Sequence, residues 1–189
     1  MSLPRCRNRL SLEEMVDYWL DELPRDRQAA FEEHLLSCDV CSQALAEISE
    51  LTEAICHLAR SGALRGIVTR SFVKRVSDEG LRLREYRLAP GEQVACSVSY
   101  SDDLLVGRLR ADLSESKRVD LVVCNARGEE VERWKDIPFH GAAGEVVFTE
   151  RMETLRALPA TTQRVKLVAV GDEGERLLGD YTFNHTPEP

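Results

Sequence analysis

No run of about 18 consecutive apolar residues occurs in this sequence, so no segment reads as a membrane-spanning helix. The opening residues, MSLPRCRNRLSLEE, lack the apolar stretch that a secretory signal needs. The expectation is a cytoplasmic protein, where thiols stay reduced, so its six cysteines do not read as a disulfide framework. Positive charge is not in excess: 25 basic residues face 33 acidic ones, a net charge of −8, and nucleic acid is not expected as a direct partner. Internal repeats and low-complexity tracts are missing. So are G-x-S-x-G, the phosphate-binding P-loop and G-x-G-x-x-G, and the carboxylates form no evident constellation, which argues against an enzyme.

What is present is an ordinary globular balance, 43% hydrophobic and 31% charged over 189 residues, enough for one large domain or two small ones. The apolar period changes along the chain. Up to about residue 80 it is helical, and after about residue 88 it is mostly two. Ser11 and Glu14 form a capping-box pair ahead of Leu12, Met15, Val16, Trp19, Leu20 and Leu23, which predicts a first helix that Pro24 ends. A second is expected over about 26–37. A long third follows from near Asp39 to the Ser61-Gly62 break, with Cys41, Leu45, Ile48, Leu51 (or Thr52), Ile55 and Leu58 at helical steps. The stretch TRSFVKRVSDEGL offers a weaker fourth.

Beyond it, VACSVSY alternates, and so do Leu105, Gly107, Leu109, Ala111 and Leu113. RVDLVVC-NARG-EEVERWKDI and RVKLVAV-GDEG-ERLLGDYTF read as hairpins. With GEVVFTE they make about seven strands, and ERMETLRAL reads as a helical turn between strands. The expected fold class is α+β and multidomain: a metal-stapled helical bundle over 1–62, a linker with a helix over 63–87, and an antiparallel β-sandwich, immunoglobulin-like or similar, over 88–189. Charge supports the division. Residues 1–62 carry 6 basic and 12 acidic side chains, whereas 63–87 carry 7 basic and 3 acidic.

The chemistry concentrates in FEEHLLSCDVCSQAL, residues 31–45. His34 and Cys38 lie one helical turn apart, and Cys41 follows by three. If the second helix ends near Ser37, the turn brings both sulfurs toward the imidazole, giving three ligands of the kind Zn²⁺ favours; a closed structural site needs four. Helices joined by a short Pro24 turn run antiparallel, so the start of the first lies beside the end of the second. Cys6, five residues before the Ser11 cap, can reach that spot. Cys56 and His57 lie 15 residues beyond Cys41, about 22 Å along a straight helix, and cannot close the same site. Cys6 is the favoured fourth ligand, with water or another residue as the alternative, and two buried thiols or a redox pair as the reading without metal. Cys96 and Cys124 sit in strand patterns and read as core.

Residues 16–45, VDYWLDELPRDRQAAFEEHLLSCDVCSQAL, resemble the zinc-binding anti-sigma factor domain of bacteria. The likeness rests on Tyr18, Leu20, Glu22-Leu23-Pro24, Phe31, His34-Leu35-Leu36, Cys38, Cys41 and Leu45, with Asp21 where that family usually has glycine. The resemblance implies a soluble regulator that holds an extracytoplasmic-function sigma factor away from RNA polymerase, with three helices and a flexibly joined fourth as the clamp. On that view Zn²⁺ is the cofactor, bound by Cys6, His34, Cys38 and Cys41. Leu51, Ile55 and Leu58, with Phe72, Val73 and Val76 of the fourth helix, are the expected partner surface. The acidic helical half would suit the basic DNA-contacting surfaces of such a partner. Oxidation of the thiolates to a disulfide, with loss of metal, would add redox sensing. The alternative is a zinc-stabilised module that binds some other protein or ligand.

Overall fold

A computed structural model of the chain describes residue 6 and residues 8–141, 144–172 and 174–187. Three helices come first: α1 (Leu12–Trp19), α2 (Arg25–Ser37) and α3 (Asp39–Arg60). The capping box at α1 forms as expected: the Ser11 hydroxyl accepts from the Glu14 N–H, and the Glu14 carboxylate accepts from the Ser11 N–H. α1 has 8 residues rather than the 12 or so expected, because the chain turns out before Pro24. The Glu22 N–H donates to the Asp17 carbonyl and the Asp21 N–H to that of Tyr18, with Asp21 at φ +59°. This is a Schellman C-cap whose left-handed position, usually glycine, is held by an aspartate.

Among the described residues, nine strands and two further helices follow: β1 (Gly66–Ile67), α4 (Arg70–Asp78), β2 (Leu83–Leu88), β3 (Gln93–Cys96), β4 (Leu104–Arg110), β5 (Val119–Cys124), β6 (Glu130–Trp134), β7 (Glu145–Glu150), α5 (Met152–Ala157), β8 (Thr161–Gly171) and β9 (Gly174–His185). They form a four-stranded sheet in the order β1-β7-β4-β2 and a five-stranded sheet in the order β3-β9-β8-β5-β6. The expected hairpins are there, β5 with β6 and β8 with β9. The expectation of an antiparallel sandwich is corrected, because both sheets are mixed: β2 runs parallel to β4, and β3 parallel to β9. Each of these edge strands joins its sheet beside a strand that is not its sequence neighbour, which permits the parallel sense.

Alternation explains the layering. Leu105 and Leu109 of β4 and Val146 and Phe148 of β7 meet Leu121 and Val123 of β5, Val165 and Leu167 of β8, and Tyr181 and Phe183 of β9, in one buried cluster between the sheets. The odd set from Leu105 to Leu113 faces one way, as its pattern predicts. Leu104, Val106 and Val147 point to the opposite face and are also buried, because Cys56 and Ala59 of α3 and Phe72, Val73 and Val76 of α4 lie on them. The stretch 63–87 is therefore no free connector: β1, α4 and most of β2 are built onto the four-stranded sheet. Arg65 pins this passage, donating to both carboxylate oxygens of Glu150 in β7 and to Glu132 in β6, with its guanidinium 4.7 Å from the Trp134 ring centre.

Candidate metal centre

The helical end of the molecule has a very small core of its own. Among the described residues, Met15, Leu23, Phe31 and Cys41 are its buried members, with Leu10, Tyr18, Leu35, Leu45 and Ile48 packed round them. Tyr18 stacks on Phe31 at 4.7 Å between ring centres. Four buried side chains are too few to hold three helices and a leading arm, since each ordered residue costs about 1.5 kcal/mol of conformational entropy.

Beside this core, Cys6, His34, Cys38 and Cys41 bring four ligand atoms within 4.8 Å of one another. Among the described residues this is the one group of three or more His, Cys, Asp and Glu side chains placed to hold a metal ion. Cys38 Sγ belongs to the residue that is at once the C-cap of α2 and the N-cap of α3, at φ −133° and ψ 98°, so the chain reverses on a single extended residue. The Cys41 N–H donates to its sulfur and holds the Cys38 thiol below the ordinary range; burial opposes this, and the Val40 N–H assists. His34 sits in the last turn of α2, and Cys41 in the first turn of α3. Cys6 arrives from the arm before α1, where burial pushes its thiol up.

The distances test what such a set can hold. His34 Nε2 lies 3.5 Å from Cys6 Sγ and 3.3 Å from Cys41 Sγ, and the two sulfurs are 3.9 Å apart. A tetrahedron built on metal–sulfur bonds of about 2.3 Å and a metal–nitrogen bond of about 2.0 Å has edges of about 3.8 Å (S–S) and about 3.5 Å (S–N). The edges joining Cys6, His34 and Cys41 fit, with Cys38 Sγ within 4.8 Å of each, and three thiols with one imidazole is a donor set of soft character that suits zinc. Four protein ligands leave no open position for a catalytic water. Cys56 and His57 stand at the far end of α3 and take no part, as their spacing predicts. Cys56, Cys96 and Cys124 are buried thiols among apolar neighbours.

The partner residues expected from sequence divide into two groups. Leu51 is 62% exposed and Leu58 45% exposed, as a docking surface requires. Phe72, Val73 and Val76 are not presented at all: they are buried against Leu104, Val106 and Val147, with Ile55 packed at the edge of the same cluster. The physical reason is that the outer face of β4 and β7 is itself apolar and takes the amphipathic face of α4 as its cover. Further pins hold α4 there. The Arg75 guanidinium lies 3.8 Å from the Trp19 ring centre and donates to the Trp19 carbonyl, while Arg60 pairs with Glu79 and Ser71 with Glu22. Leu12, read from sequence as part of the apolar face of α1, is instead 69% exposed beside the metal-bearing arm. Its position as the first helical residue, just after the Ser11 cap, was the available signal.

No protein family and no curated protein matches the chain. Among solved structures it is similar to the N-terminal domain of phage TP901-1 ORF48, at 10% identity and a TM-score of 0.38, over 58% of this chain and 100% of that one. It is also similar to CopC from Methylosinus trichosporium OB3b, at 13% identity and a TM-score of 0.30, over 67% of this chain and 97% of that one. Likenesses this distant carry no functional argument. No helix among the described residues is long and apolar enough to cross a membrane.

Proposed function

We propose that this chain is a zinc-stabilised anti-sigma factor: a helical module stapled by Zn²⁺ sequesters an extracytoplasmic-function sigma factor, and the β-sandwich serves as its regulatory module. The observation that carries the reading is the convergence of Cys6, with the H-x-x-x-C-x-x-C residues, on one point. The exposed Leu51 and Leu58 on an acidic helical half support a protein partner. Zn²⁺ here supplies structure, joining the arm, α2 and α3 in place of the core they lack. The test is co-purification with a sigma factor encoded beside the gene, with and without chelator. Capture that is lost on metal removal supports the reading; no capture by the reduced, zinc-loaded protein rejects it.

Redox control belongs to the same reading. Peroxide would take two electrons from the Cys6 and Cys41 thiolates, whose sulfurs are 3.9 Å apart, leaving a disulfide and two molecules of water once protons are taken up. Unchanged partner affinity after peroxide, with zinc retained, rejects it. A second reading, a zinc-stabilised interaction module that is not an anti-sigma factor, is favoured by one observation: Phe72, Val73 and Val76 are committed to the sandwich and are not free to clamp a partner.

A further inference from the structure

An open groove of about 580 Å³ runs between the start of α1 and the middle of α3, with Leu10, Leu12 and Met15 on one side and Ala44, Ile48 and Leu51 on the other. Its lips are the two most exposed apolar side chains of this face, Leu12 at 69% and Leu51 at 62%. Along α3, Ala44 and Ile48 form the floor of the groove where they pack on the helical core, and Leu51, one turn beyond Ile48, stands exposed at its edge. Glu47 lines the groove and is exposed, Glu50 is exposed on α3 next to Leu51, and Glu13 is exposed beside Leu12 on α1; among the described residues Arg9 is the one basic residue lining the groove. A second copy of this chain would set glutamates against glutamates on a molecule of net charge −8, so the charge selects a basic partner.

One wall of the groove is not part of the helices. Arg9, Leu10 and Ser11 belong to the arm that Cys6 begins, and within the described arm only Cys6 and Leu10 pack on the helical core. We propose that this groove docks a basic amphipathic helix from another protein, and that Cys6, as a metal ligand, holds the arm in place as its second wall. The inference rests on the chain being a protein-binding regulator and specifies the surface and the chemistry of its partner. Partner affinity is then linked to metal through the position of the arm.

The test uses the zinc-loaded full chain and a fluorescent 18-residue peptide of leucine and lysine arranged as an amphipathic helix. A scrambled peptide of the same composition and a leucine–glutamate peptide are the controls, read by anisotropy. The amphipathic basic peptide should bind and the two controls should not. Leu51→Asp and Leu12→Asp should each weaken binding at least about tenfold, and both sites are exposed enough to leave the fold intact, as circular dichroism would show. Cys6→Ser should weaken binding to a similar degree while retaining the helical signal. Equal binding of the scrambled peptide, or wild-type affinity in Leu51→Asp and Leu12→Asp, overturns the groove; wild-type affinity in Cys6→Ser overturns its link to the metal. No sigma factor enters this assay, so its outcome is independent of whether one is captured.

Discussion

Cys6 Sγ and His34 Nε2 stand 3.5 Å apart although 28 residues separate them in the chain. Between the two lie an arm, a capped helix and a tight turn, each of which must have the right length for the atoms to meet. Cys41 Sγ, 3.3 Å from the same nitrogen, closes the set from the next helix. An apolar core could tolerate small errors in these lengths; a tetrahedral ion does not.

Metal removal is therefore expected to unfold one end of the molecule. Chelator added to reduced protein should abolish the helical signal of α2 and of the metal-side turns of α1 and α3, while the end of α3 that carries Cys56 and Ala59, and the tryptophan environment at Trp134, both packed on the sheets, persist. Structural zinc contributes about 10 kcal/mol or more in small domains, far above what four buried residues supply. Loss of both helix-borne thiols, in the double variant Cys38→Ser/Cys41→Ser, should reproduce the effect without chelator. Circular dichroism with near-ultraviolet bands separates the two ends, and a chelator-resistant helical signal would contradict the expectation.

Asp21→Gly should raise stability. Asp21 holds φ +59°, a conformation glycine adopts without strain, and its substitution relieves about 0.5–1 kcal/mol. Thermal unfolding of the zinc-loaded protein reads the gain, and a fall in Tm would show that the Asp21 side chain has a role of its own.

Gly107→Ala should destabilise the sandwich by about 1–3 kcal/mol, as overpacking does. Gly107 is paired in register with Phe148, and a β-carbon there would overlap the Phe148 ring. Gly66→Ala is the control: its β-carbon would meet nothing within 4 Å, and the change should be small. Denaturant titration of both variants checks the contrast.

Asp120 is 1% exposed on the outer face of the five-stranded sheet. Burial pushes its carboxyl up, but the Asp136 N–H and the Arg118 and Arg133 guanidinia outweigh this and hold it below the usual range. A carboxyl whose folded pKa is depressed contributes stability that is complete above its unfolded value, about 3.9, and is lost as pH falls through the folded value. Asp120→Asn should cost about 1–3 kcal/mol at pH 7, and less as the pH drops below about 4. Unfolding free energies measured from pH 7 down to pH 3 would show the gap between variant and wild type closing.

The helical half was legible because its signals are local. A capping box, a proline, and His34, Cys38 and Cys41 at steps of four and three each act within one or two turns. Even the reach of Cys6 follows from helix length and a short turn. The sandwich was legible as strands and as the two hairpins, β5 with β6 and β8 with β9, but not in its remaining pairings. Whether β2 joins β4 in parallel, or α4 covers the far side of β4, depends on pairings across tens of residues, which alternation in one strand does not encode. β4 carried the clue: Leu104 and Val106 are as apolar as Leu105 and Leu109, so both of its faces needed cover. Phe72, Val73 and Val76 supply it, and an amphipathic helix reads the same whether its apolar face meets the same chain or another.

X-ray absorption at the zinc edge of the pure, reduced, full-length protein tests the metal centre most directly. The expected result is one zinc per chain with three sulfurs at about 2.3 Å and one nitrogen at about 2.0 Å, falling to two sulfurs in Cys6→Ser. Protein that holds no zinc, or a wild-type shell of two sulfurs unchanged in Cys6→Ser, would contradict it.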